Sequence, residues 1–582
     1  MITANSALEA LANQAVNAAQ PPQCLPDPER LAQLANRYFQ VWPNPAQSHV
    51  GPVSAAVPAL TALQSVPPGF GRRPGIDSEV LPDSVQIHAA VTPPLPNVFP
   101  ISAVTAPAGG DACKPTDVDA LELAAFAAKG LACASVFEAA LKSDSTRSRQ
   151  AGGYYFLAET GTGQINSPGP AGVYPSFDVQ AVRRDFPILA ERVNGYPLVW
   201  LDNAATTQKP QAVIDRLATF YRRENSNIHR AAHELAARAT DAYEQARTGV
   251  ARFLHAASAD EVVFVRGSTE AINLVAQTWG REQVQAGDEI VVSWLEHHAN
   301  IVPWQLLCAQ TGAQLRVIPV DDDGQILLSD YQKLLNSRTK LVSFTHVSNA
   351  LGTITPAAEM IALAHRVGAR VLLDAAQSVS HLPVDVQSLD CDWLVFSGHK
   401  IFGPTGIGVL YGKAELLEGM PPWQGGGNMI ADVTFEQTRY QSAPARFEAG
   451  TGNIADAVGL AAALDYVSQL GLANIARYEH QLLDYALHAL RTVPGLRLIG
   501  TAAEKTSVLS FVLPGHDPLE VGKALNRVGI AVRAGHHCAQ PILRRFGLEA
   551  TVRPSLAFYN TYDEIDRLVA QVKALQCGSR RV

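Results

Sequence analysis

The sequence predicts an α/β protein with a mostly parallel sheet over residues 177–582, preceded by a long segment that does not fold as a domain. From about Phe177 onward, apolar β-prone runs alternate with amphipathic helical stretches, which is typical of an open parallel sheet with crossover helices. Before that point the chain is rich in Pro, and 21 of its 37 prolines lie in residues 1–176. The polar turns that could carry chemistry follow the predicted strands.

Residues 1–176 are predicted to be a disordered, Pro- and Ala-rich extension, because Pro interrupts helices and central strands alike. Short apolar islands interrupt this extension. The motif Leu-x-x-Leu-Ala-Asn begins at Leu8 and again at Leu31, with Leu34 on the same helical face as Leu31. An aromatic cluster contains Tyr154 and Phe156. Two interpretations stay open: a tethering tail, or short linear motifs that dock on a partner, whose repetition would raise avidity.

The remaining chain is predicted to form two domains, a large one over residues 177–465 and a small α+β one over residues 466–582, with the first part of residues 177–465 lying partly in the small domain. The predicted strands of the large domain are 261–265, 289–292, 314–318, 341–345, 370–374 and 393–396, and its clearest helices are 270–279 and 357–367. The small domain is predicted to contain helices at 484–493 and 563–575 and strands at 507–512 and 531–533.

Composition narrows the class of protein. A net charge of −8 gives no indication of a nucleic-acid or anionic-membrane binder. Seven Cys without a CxxC pair or a Cys/His metal spacing argue against a disulfide framework and a metal site. The sequence has no apolar run of about 18 residues and no signal-peptide pattern, so we expect no membrane span and a reducing, cytoplasmic setting.

Lys400 is the residue around which the candidate site is organised. An apolar run ends in the turn Ser-Gly-His-Lys at 397–400, followed by a Gly/Pro-rich loop. A Lys delivered by a strand to the mouth of a site can form a Schiff base if its surroundings lower its pKa. Taken alone, Lys400 would be read as a solvated loop residue.

Asp374 and the residues Ser268 and Thr269 are the next candidates. Asp374 ends an apolar strand, and a buried carboxylate there needs a cationic partner, for example a protonated ring nitrogen. Ser268 and Thr269 open a helix after a strand, where backbone N–H groups and hydroxyls make a phosphate cradle. The ordinary alternatives are a strand-end Asp that caps a turn and a simple helix N-cap.

The last candidates are His297, Cys538 and two arginines. His297 follows a strand and could stack on an aromatic cofactor and shuttle protons. Cys538 lies on a Gly-flanked loop near Arg533, His536 and His537, and these electropositive surroundings would favour the thiolate. Arg553 is suited to grip a carboxylate with two hydrogen bonds. A surface His, a buried inert thiol and a surface ion-paired Arg are the alternatives for each residue taken alone.

The order of these groups along the chain resembles the fold-type I pyridoxal-phosphate enzymes. Residues 177–577 look more closely like a group II, SufS-type cysteine desulfurase. The runs that carry this resemblance are Leu-Asp-Asn-Ala-Ala-Thr-Thr at 201–207, Glu-His-His-Ala-Asn-Ile-Val-Pro-Trp at 296–304, Ser-Gly-His-Lys at 397–400, Arg-Phe-Glu-Ala-Gly-Thr at 446–451 and Arg-Ala-Gly-His-His-Cys-Ala at 533–539. The run Arg-x-Gly-His-His-Cys marks group II, because group I carries a longer Cys loop.

The resemblance implies a role for each residue. Lys400 would hold pyridoxal 5′-phosphate covalently. The phosphate would be bound by Ser268, Thr269, Ser397 and His399, with Thr451 reaching it from the second subunit of a homodimer. The ring would be contacted by Asp374, Gln377, Asn349 and His297. The carboxylate of L-cysteine would be bound by Arg553, with Asn349 and Arg533 nearby.

The implied reaction converts L-cysteine to L-alanine and leaves sulfane sulfur on Cys538 as a persulfide. The short Cys loop suggests an acceptor protein of the SufE or SufU kind. The alternatives are a selenocysteine lyase, another fold-type I lyase or an aminotransferase that carries Cys538 incidentally, and a scaffold protein whose catalytic domain is degenerate.

The extension of about 176 residues departs from the usual family members, which begin near Phe177. It resembles the extensions of cysteine desulfurases that are packaged as cargo in family 2A encapsulin shells. The resemblance implies docking on the inner wall of a shell through the motifs near Leu31, Leu34, Tyr154 and Phe156. The sulfur would then be stored in the compartment or used for iron–sulfur clusters.

Overall fold

The computed structural model describes residues 177–229 and 232–578. The predictions made for residues 1–176, namely the disorder, the repeated motif and the aromatic cluster, lie outside the described residues. The boundary predicted at 465/466 falls inside the helix Ile454–Leu470. The division into a large and a small domain stays a prediction.

The strands are short, as expected for an α/β protein. In chain order they are β1 Arg192–Val193, β2 Tyr196–Pro197, β3 Val199–Trp200, β4 Val262–Val265, β5 Glu289–Ser293, β6 Gln314–Ile318, β7 Thr339–Thr345, β8 Arg370–Asp374, β9 Trp393–Ser397, β10 Gly408–Gly412, β11 Ile430–Val433, β12 Thr438–Tyr440, β13 Arg497–Ile499, β14 Ser510–Val512, β15 Ile530–Ala531, β16 Arg533–Gly535 and β17 Thr551–Arg553.

Helices connect most of these strands. The α-helices are Val179–Arg184, Gln211–Arg223, Glu234–Leu254, Ser268–Val275, Arg281–Gln283, Val302–Thr311, Leu328–Leu334, Ala357–Arg366, Val386–Leu389, Ala414–Gly419, Ile454–Leu470, Leu472–Arg491, Pro518–Arg527, Gln540–Arg545 and Tyr562–Gly578. Within the described residues, no single helix meets the length and hydropathy needed to cross a membrane. The bent pair Ile454–Leu470 and Leu472–Arg491 meets them together, by length and composition only.

The main sheet confirms the predicted α/β fold. It has seven strands in the order β4-β10-β9-β8-β7-β5-β6. The five strands β9, β8, β7, β5 and β6 run parallel to one another. Strand β10 is antiparallel to both of its neighbours, β4 and β9. Strands β4, β5, β9 and β10 are buried along their whole length. Their near-continuous apolar sequences follow from this burial, since helices cover both faces of such a sheet.

Sequence reasoning found six of the seven strands and missed β10. A run that begins and ends with Gly gives a weak strand signal, and nothing local indicates its antiparallel direction. The helix predicted at 270–279 also differs, because Ser268–Val275 is followed by a π-helical turn at Ala276–Gly280. The strand predicted at 507–512 is shorter in the structure, where β14 spans only Ser510–Val512.

Gly408 brings two candidate segments together. It pairs with Val265 on one side and with Ser397 on the other, so β4 and β9 end at the same edge of the sheet. A Cβ atom on Gly408 would lie 2.5 Å from the Cα atom of Gly267. Glycine is therefore required here, and it allows the turn after β4 to approach the turn after β9.

A second sheet, with the order β13-β14-β17-β16, carries the predicted arginines. Arg533 on β16 pairs directly with Arg553 on the antiparallel strand β17. Two like charges in register repel each other, so this arrangement needs an anion beside it. Asp202 supplies that anion, as described below.

A buried ion pair anchors the loop that carries Thr451. The side chains of Arg247 and Glu448 are 4% and 6% exposed, and Nη1 of the arginine lies 2.6 Å from Oε1 of the glutamate. Glu448 also accepts hydrogen bonds from Phe264 N at 2.8 Å and from the Tyr243 hydroxyl at 3.0 Å. This carboxylate ties the loop before Thr451 to the start of the sheet.

We expect Arg247→Met to lower the free energy of unfolding by about 3 to 5 kcal/mol, because it leaves the Glu448 carboxylate buried without its cation. Arg238→Met is the matched control on the same helix. Its partner Glu234 is exposed, so we expect a loss below about 0.5 kcal/mol. Urea unfolding of both variants measures the difference, and equal losses would contradict a special role for the buried pair.

Candidate active site

A cavity of about 230 Å³ lies at the carboxyl edge of the main sheet and contains nearly all of the predicted site residues. Those lining it are Ser268, Thr269, His297, Asn349, Asp374, Gln377, Ser397, His399, Lys400, Arg533, Cys538 and Arg553. Strands β4, β5, β7, β8 and β9 each end here. The motifs meet because strands that run in one direction end at one edge of the sheet.

Lys400 ends the single 3-10 turn Gly398–Lys400 that follows β9. Burial lowers the pKa of its amine, the carboxylate of Asp374 opposes this, and the guanidinium of Arg553 adds to it. A lowered pKa increases the unprotonated fraction of the amine at neutral pH. That form is needed for a nucleophile or a general base.

Asp374 is the last residue of β8 and is 4% exposed. Burial raises the pKa of its carboxyl, while a hydrogen bond from Ala376 N, at 3.0 Å, and the charge of Lys400 lower it. Gln377 lies one turn later, and its side-chain amide nitrogen donates to the carbonyl of Ala204 at 2.7 Å. That bond leaves the second hydrogen of the amide nitrogen for a ligand.

The turn after β4 forms a cradle of donors. Ser268 begins the helix Ser268–Val275, and its N-cap residue, Gly267, has no side chain to cap the N-terminus. Ser268 N donates to the Ser397 hydroxyl at 2.9 Å, and the two hydroxyl oxygens lie 3.0 Å apart. Backbone N–H groups and hydroxyls at a helix N-terminus are suited to bind a phosphate.

The imidazoles of His297 and His399 line the same cavity, and both are neutral. Burial lowers the pKa of His297 to about 3, with Lys400 as the next contribution. Burial likewise lowers the pKa of His399 to about 4, and Lys400 and Lys209 contribute. Nδ1 of His297 accepts a hydrogen bond from Ala299 N at 3.1 Å, so the proton of the neutral ring resides on Nε2.

The loop that carries Cys538 is held by several hydrogen bonds. His537 and Cys538 both have left-handed backbones, with φ of 55° and 53°. Cys538 N donates to Nδ1 of His536 at 3.0 Å, and Cys538 O accepts from His298 N at 2.8 Å. The rings of His298 and His536 stack with centroids 5.9 Å apart. These contacts offset the cost of two successive non-glycine residues in that conformation.

Asp202 links the two arginines. Its Oδ1 lies 3.1 Å from Nη2 of Arg553, and its Oδ2 lies 3.2 Å from Nη2 of Arg533. Arg553 is 2% exposed, donates to the carbonyl of Asn349 at 2.9 Å and leaves its Nε atom without a partner among the described residues. Burial lowers its pKa to about 10, so it stays charged at neutral pH.

Asn349 joins this group to the Cys538 loop. Its side-chain amide nitrogen donates to the carbonyl of His537 at 2.7 Å, and its Oδ1 is buried without a partner among the described residues. One hydrogen of the amide nitrogen and the amide oxygen are thus left for a ligand in the cavity.

Thr451 is the one predicted site residue that the cavity does not include. It is exposed and lines a different cavity of about 480 Å³ together with Tyr243, Arg266 and Trp423. Its hydroxyl donates to Oδ1 of Asn227 at 3.3 Å. Within one chain it is therefore not part of the lysine site.

Sequence reasoning missed several residues of the site. Asp202 and His298 lie inside the motif runs but are predicted no role, and Lys209 carries no prediction. His536 is predicted only as one of two histidines that make the surroundings of Cys538 electropositive. A carboxylate two positions after the end of β3 is the only local signal for Asp202. Among residues 177–229 and 232–578, no group of three or more His, Cys, Asp and Glu side chains could hold a metal ion.

The donor set fits pyridoxal phosphate. A helix N-terminus with neighbouring hydroxyls suits a phosphate dianion. The buried carboxylate of Asp374 has room for a cationic ring nitrogen, and the amine of Lys400 faces the same space. The unpartnered oxygen of Asn349 and nitrogen of Arg553 indicate that a polar ligand completes the cavity.

Comparisons with known proteins agree with this fit. The family model described as aminotransferase class-V matches residues 199–568. The chain is 73% identical over 403 residues to a cysteine desulfurase of Synechococcus elongatus, and the matched region covers 69% of this chain and 64% of the relative. It is 56% identical to a cysteine desulfurase of Klebsiella pneumoniae, over 69% of this chain and 98% of the relative.

A solved structure, the cysteine desulfurase CsdA from Escherichia coli, is 41% identical with a TM-score of 0.64, over 69% of this chain and 99% of that chain. The chain therefore belongs to the aminotransferase class-V family of pyridoxal-phosphate enzymes. Within that family, it belongs to the cysteine desulfurases. The match spans less than two thirds of the Synechococcus relative, which is 64% covered.

Proposed function

We propose that the protein is a cysteine desulfurase that converts L-cysteine to L-alanine and leaves sulfane sulfur on Cys538. The observation that carries the proposal is the meeting of a lysine amine, a thiol and a buried guanidinium in one cavity. The cofactor would be held by Lys400 covalently, by Asp374 and His297 at the ring, and at the phosphate by the cradle of Ser268, Thr269, Ser397 and His399. Gln377 and Asn349 would donate to oxygen atoms beside the ring.

Bound pyridoxal phosphate supplies an electron sink for a carbanion next to the amino group of the substrate. Arg553 would bind the substrate carboxylate, and Asp202 and the Asn349 carbonyl would keep its guanidinium in place. Lys400, with its lowered pKa, would remove the Cα proton. The neutral ring of His297 would carry a proton on Nε2 close to the reacting atoms.

Cys538 would then attack the sulfur of the substrate as a thiolate. A bond forms between the two sulfur atoms while the Cβ–S bond breaks. The carbon keeps the electron pair of the broken bond and takes up a proton, which makes the methyl group of alanine. The sulfur is oxidised to the sulfane level as the carbon is reduced, so no further oxidant is needed.

The direct test is to reconstitute the purified chain with pyridoxal phosphate, record its visible spectrum and assay alanine after adding L-cysteine. We expect an absorbance band that borohydride removes and alanine in amounts above one per chain when a thiol reductant is present. A chain that takes up no cofactor and forms no alanine would refute the proposal and favour the scaffold interpretation.

Selenocysteine lyase and aminotransferase activities are the competing enzymatic functions. The same preparation supplied with L-selenocysteine, and separately with L-alanine and a 2-oxo acid, measures both. An aminotransferase would exchange the amino group without releasing sulfur. The loop that presents Cys538 to the lysine cavity favours the desulfurase.

We further propose that the enzyme acts as a homodimer in which Thr451 of one subunit reaches the phosphate in the other. The support is the location of Thr451, which is exposed in its own chain and outside the lysine cavity. The ion pair of Arg247 and Glu448 holds the loop that presents it.

Mixing two inactive variants tests this arrangement. We expect Thr451→Asp to lose most cofactor binding, because it sets a carboxylate against a phosphate. When it is co-expressed with Lys400→Ala, each mixed dimer should regain about half of the wild-type activity, since one of its two sites receives an intact lysine and an intact threonine, and a randomly paired preparation should regain about a quarter. Activity no higher than that of either variant alone would contradict a shared site.

The sulfur acceptor is proposed to be a separate protein of the SufE or SufU kind, because Cys538 lies on a short loop of its own chain. When the persulfide of the enzyme carries ³⁵S, we expect the label to pass to such an acceptor protein. An acceptor variant whose receiving cysteine has been replaced should stay unlabelled.

Packaging in an encapsulin shell is a proposal that rests only on the sequence of residues 1–176. Co-expression with a family 2A shell protein, followed by sizing chromatography, tests it. We expect the full chain to elute with the shell, and the chain that begins at Phe177 to elute alone. Replacing Leu31, Leu34, Tyr154 and Phe156 by Ser should have the same effect as the truncation, and co-elution of the truncated chain would refute this proposal.

A further inference from the structure

The carbonyl oxygen of His399, the residue before Lys400, is surrounded by donors from one segment. Thr207 N lies 3.0 Å from it, and the hydroxyls of Thr206 and Thr207 both lie 3.1 Å from it. Nζ of Lys209 lies 3.3 Å from the same oxygen. A carbonyl oxygen has two lone pairs, so four donors exceed what its satisfaction requires. The peptide that leads into Lys400 is therefore held unusually firmly.

Thr207 also holds the far end of the lysine turn. Its hydroxyl accepts a hydrogen bond from Phe402 N at 2.7 Å. Phe402 is buried and has φ of 62°, a left-handed conformation that a bulky residue rarely adopts. The segment 206–209 thus fixes the backbone on both sides of Lys400.

Lys209 differs from the other donors because it is charged. It is half-buried, and its Nζ donates to the carbonyls of Thr207 and His399. Among the described residues it forms no ion pair with a carboxylate within 4.0 Å. Burial lowers the pKa of its amine to about 8. A partly buried cation without an anion costs stability, whereas a neutral donor could satisfy the same carbonyl at less cost.

The charge of Lys209 acts on the cavity. It is one of the charges that lower the pKa of His399, which lines the cavity beside Lys400. Lys209 itself does not line the cavity. Its influence on the reacting groups therefore passes through the His399 peptide and through its electrostatic field.

We propose that Lys209 is a positioning residue that holds the Lys400 turn through the His399 carbonyl and keeps a positive charge behind the cofactor site. This inference rests on the proposed pyridoxal-phosphate function. It has two consequences. The phosphate dianion binds more tightly because a cation lies against His399, which belongs to the cradle, and the protonated linkage between Lys400 and the cofactor is disfavoured by the same cation.

Lys209→Met removes the charge, and Lys209→Arg keeps it. Lys505→Met is the matched control, because Lys505 is also half-buried, its pKa is lowered to about 8 and its Nζ donates to the carbonyl of Gly500 at 2.7 Å, while its side chain lines a different cavity. For each protein we would measure the dissociation constant of pyridoxal phosphate, the pH midpoint of its absorbance band and the Tm of the apoprotein.

We expect Lys209→Met to weaken cofactor binding roughly tenfold, because the phosphate dianion loses a nearby cation, and to move the absorbance midpoint to higher pH. Lys209→Arg and Lys505→Met should keep both quantities near those of the wild type. If Lys209→Met does not fold, Lys209→Gln replaces it and should show the same midpoint shift, since it also lacks the charge.

A Lys209→Met protein with an unchanged dissociation constant and midpoint would overturn the inference, even if its Tm fell, because the role would then be structural only. The same changes in Lys505→Met would also overturn it. Failure of the proposed function is a different result: the wild type itself would bind no cofactor and form no alanine.

Discussion

Replacement of Cys538 by alanine is expected to lower the turnover of L-cysteine by roughly 10³-fold or more, because it removes the proposed nucleophile. Cofactor binding and its absorbance should be unchanged, since Cys538 contributes only backbone hydrogen bonds to the loop. Alanine formation, measured with and without a thiol reductant, checks the first expectation. The visible spectrum checks the second.

Cys308→Ala is the matched control. Cys308 is a free, half-buried thiol on the helix Val302–Thr311, and it does not line the lysine cavity. We expect this variant to keep the activity of the wild type. Mass spectrometry after one turnover without reductant should find an added sulfur atom on Cys538. An active Cys538→Ala variant would refute the desulfurase mechanism and favour an aminotransferase or another lyase.

Arg553→Lys is expected to raise the KM for L-cysteine roughly 10- to 100-fold, because a lysine ammonium cannot make the two parallel hydrogen bonds of a guanidinium. A rise of this size in KM corresponds to the free energy lost with one hydrogen bond to a charged group. Arg553 is buried and already oriented by Asp202 and the carbonyl of Asn349. The cofactor spectrum and the Tm of the variant distinguish lost substrate binding from lost folding.

Arg533→Lys serves as the comparison, since Arg533 pairs with Arg553 across β16 and β17 and contacts the same Asp202. Its side chain is 48% exposed, so we expect a change in KM within about fivefold. Equal effects of the two substitutions would contradict the assignment of Arg553 as the main carboxylate group. Unchanged KM in Arg553→Lys would refute it.

Local patterns predicted most of the fold. Strands β6 and β8 begin and end where the alternation of apolar runs and turns places them, because their sequences are β-prone and bounded by turn residues. Strand β10 was missed because its antiparallel pairing is decided by its neighbours β4 and β9. The π-helical turn at Ala276–Gly280 was missed because it lies against the helix Val302–Thr311, where a Cβ on Gly280 would meet Leu307 at 2.6 Å.

The sequence by itself determined which chemical groups this protein has and that each follows a strand. Lys400, Asp374 and Ser268 were predicted because a strand and the polar turn after it are adjacent in the chain, and local propensity specifies both. Only the tertiary structure decided which groups meet. Asp202 contacts Arg553 across 351 positions, and Lys209 contacts the carbonyl of His399 across 190. Such contacts depend on the order and direction of the strands, which is set by burying apolar faces against one another and not by any local pattern.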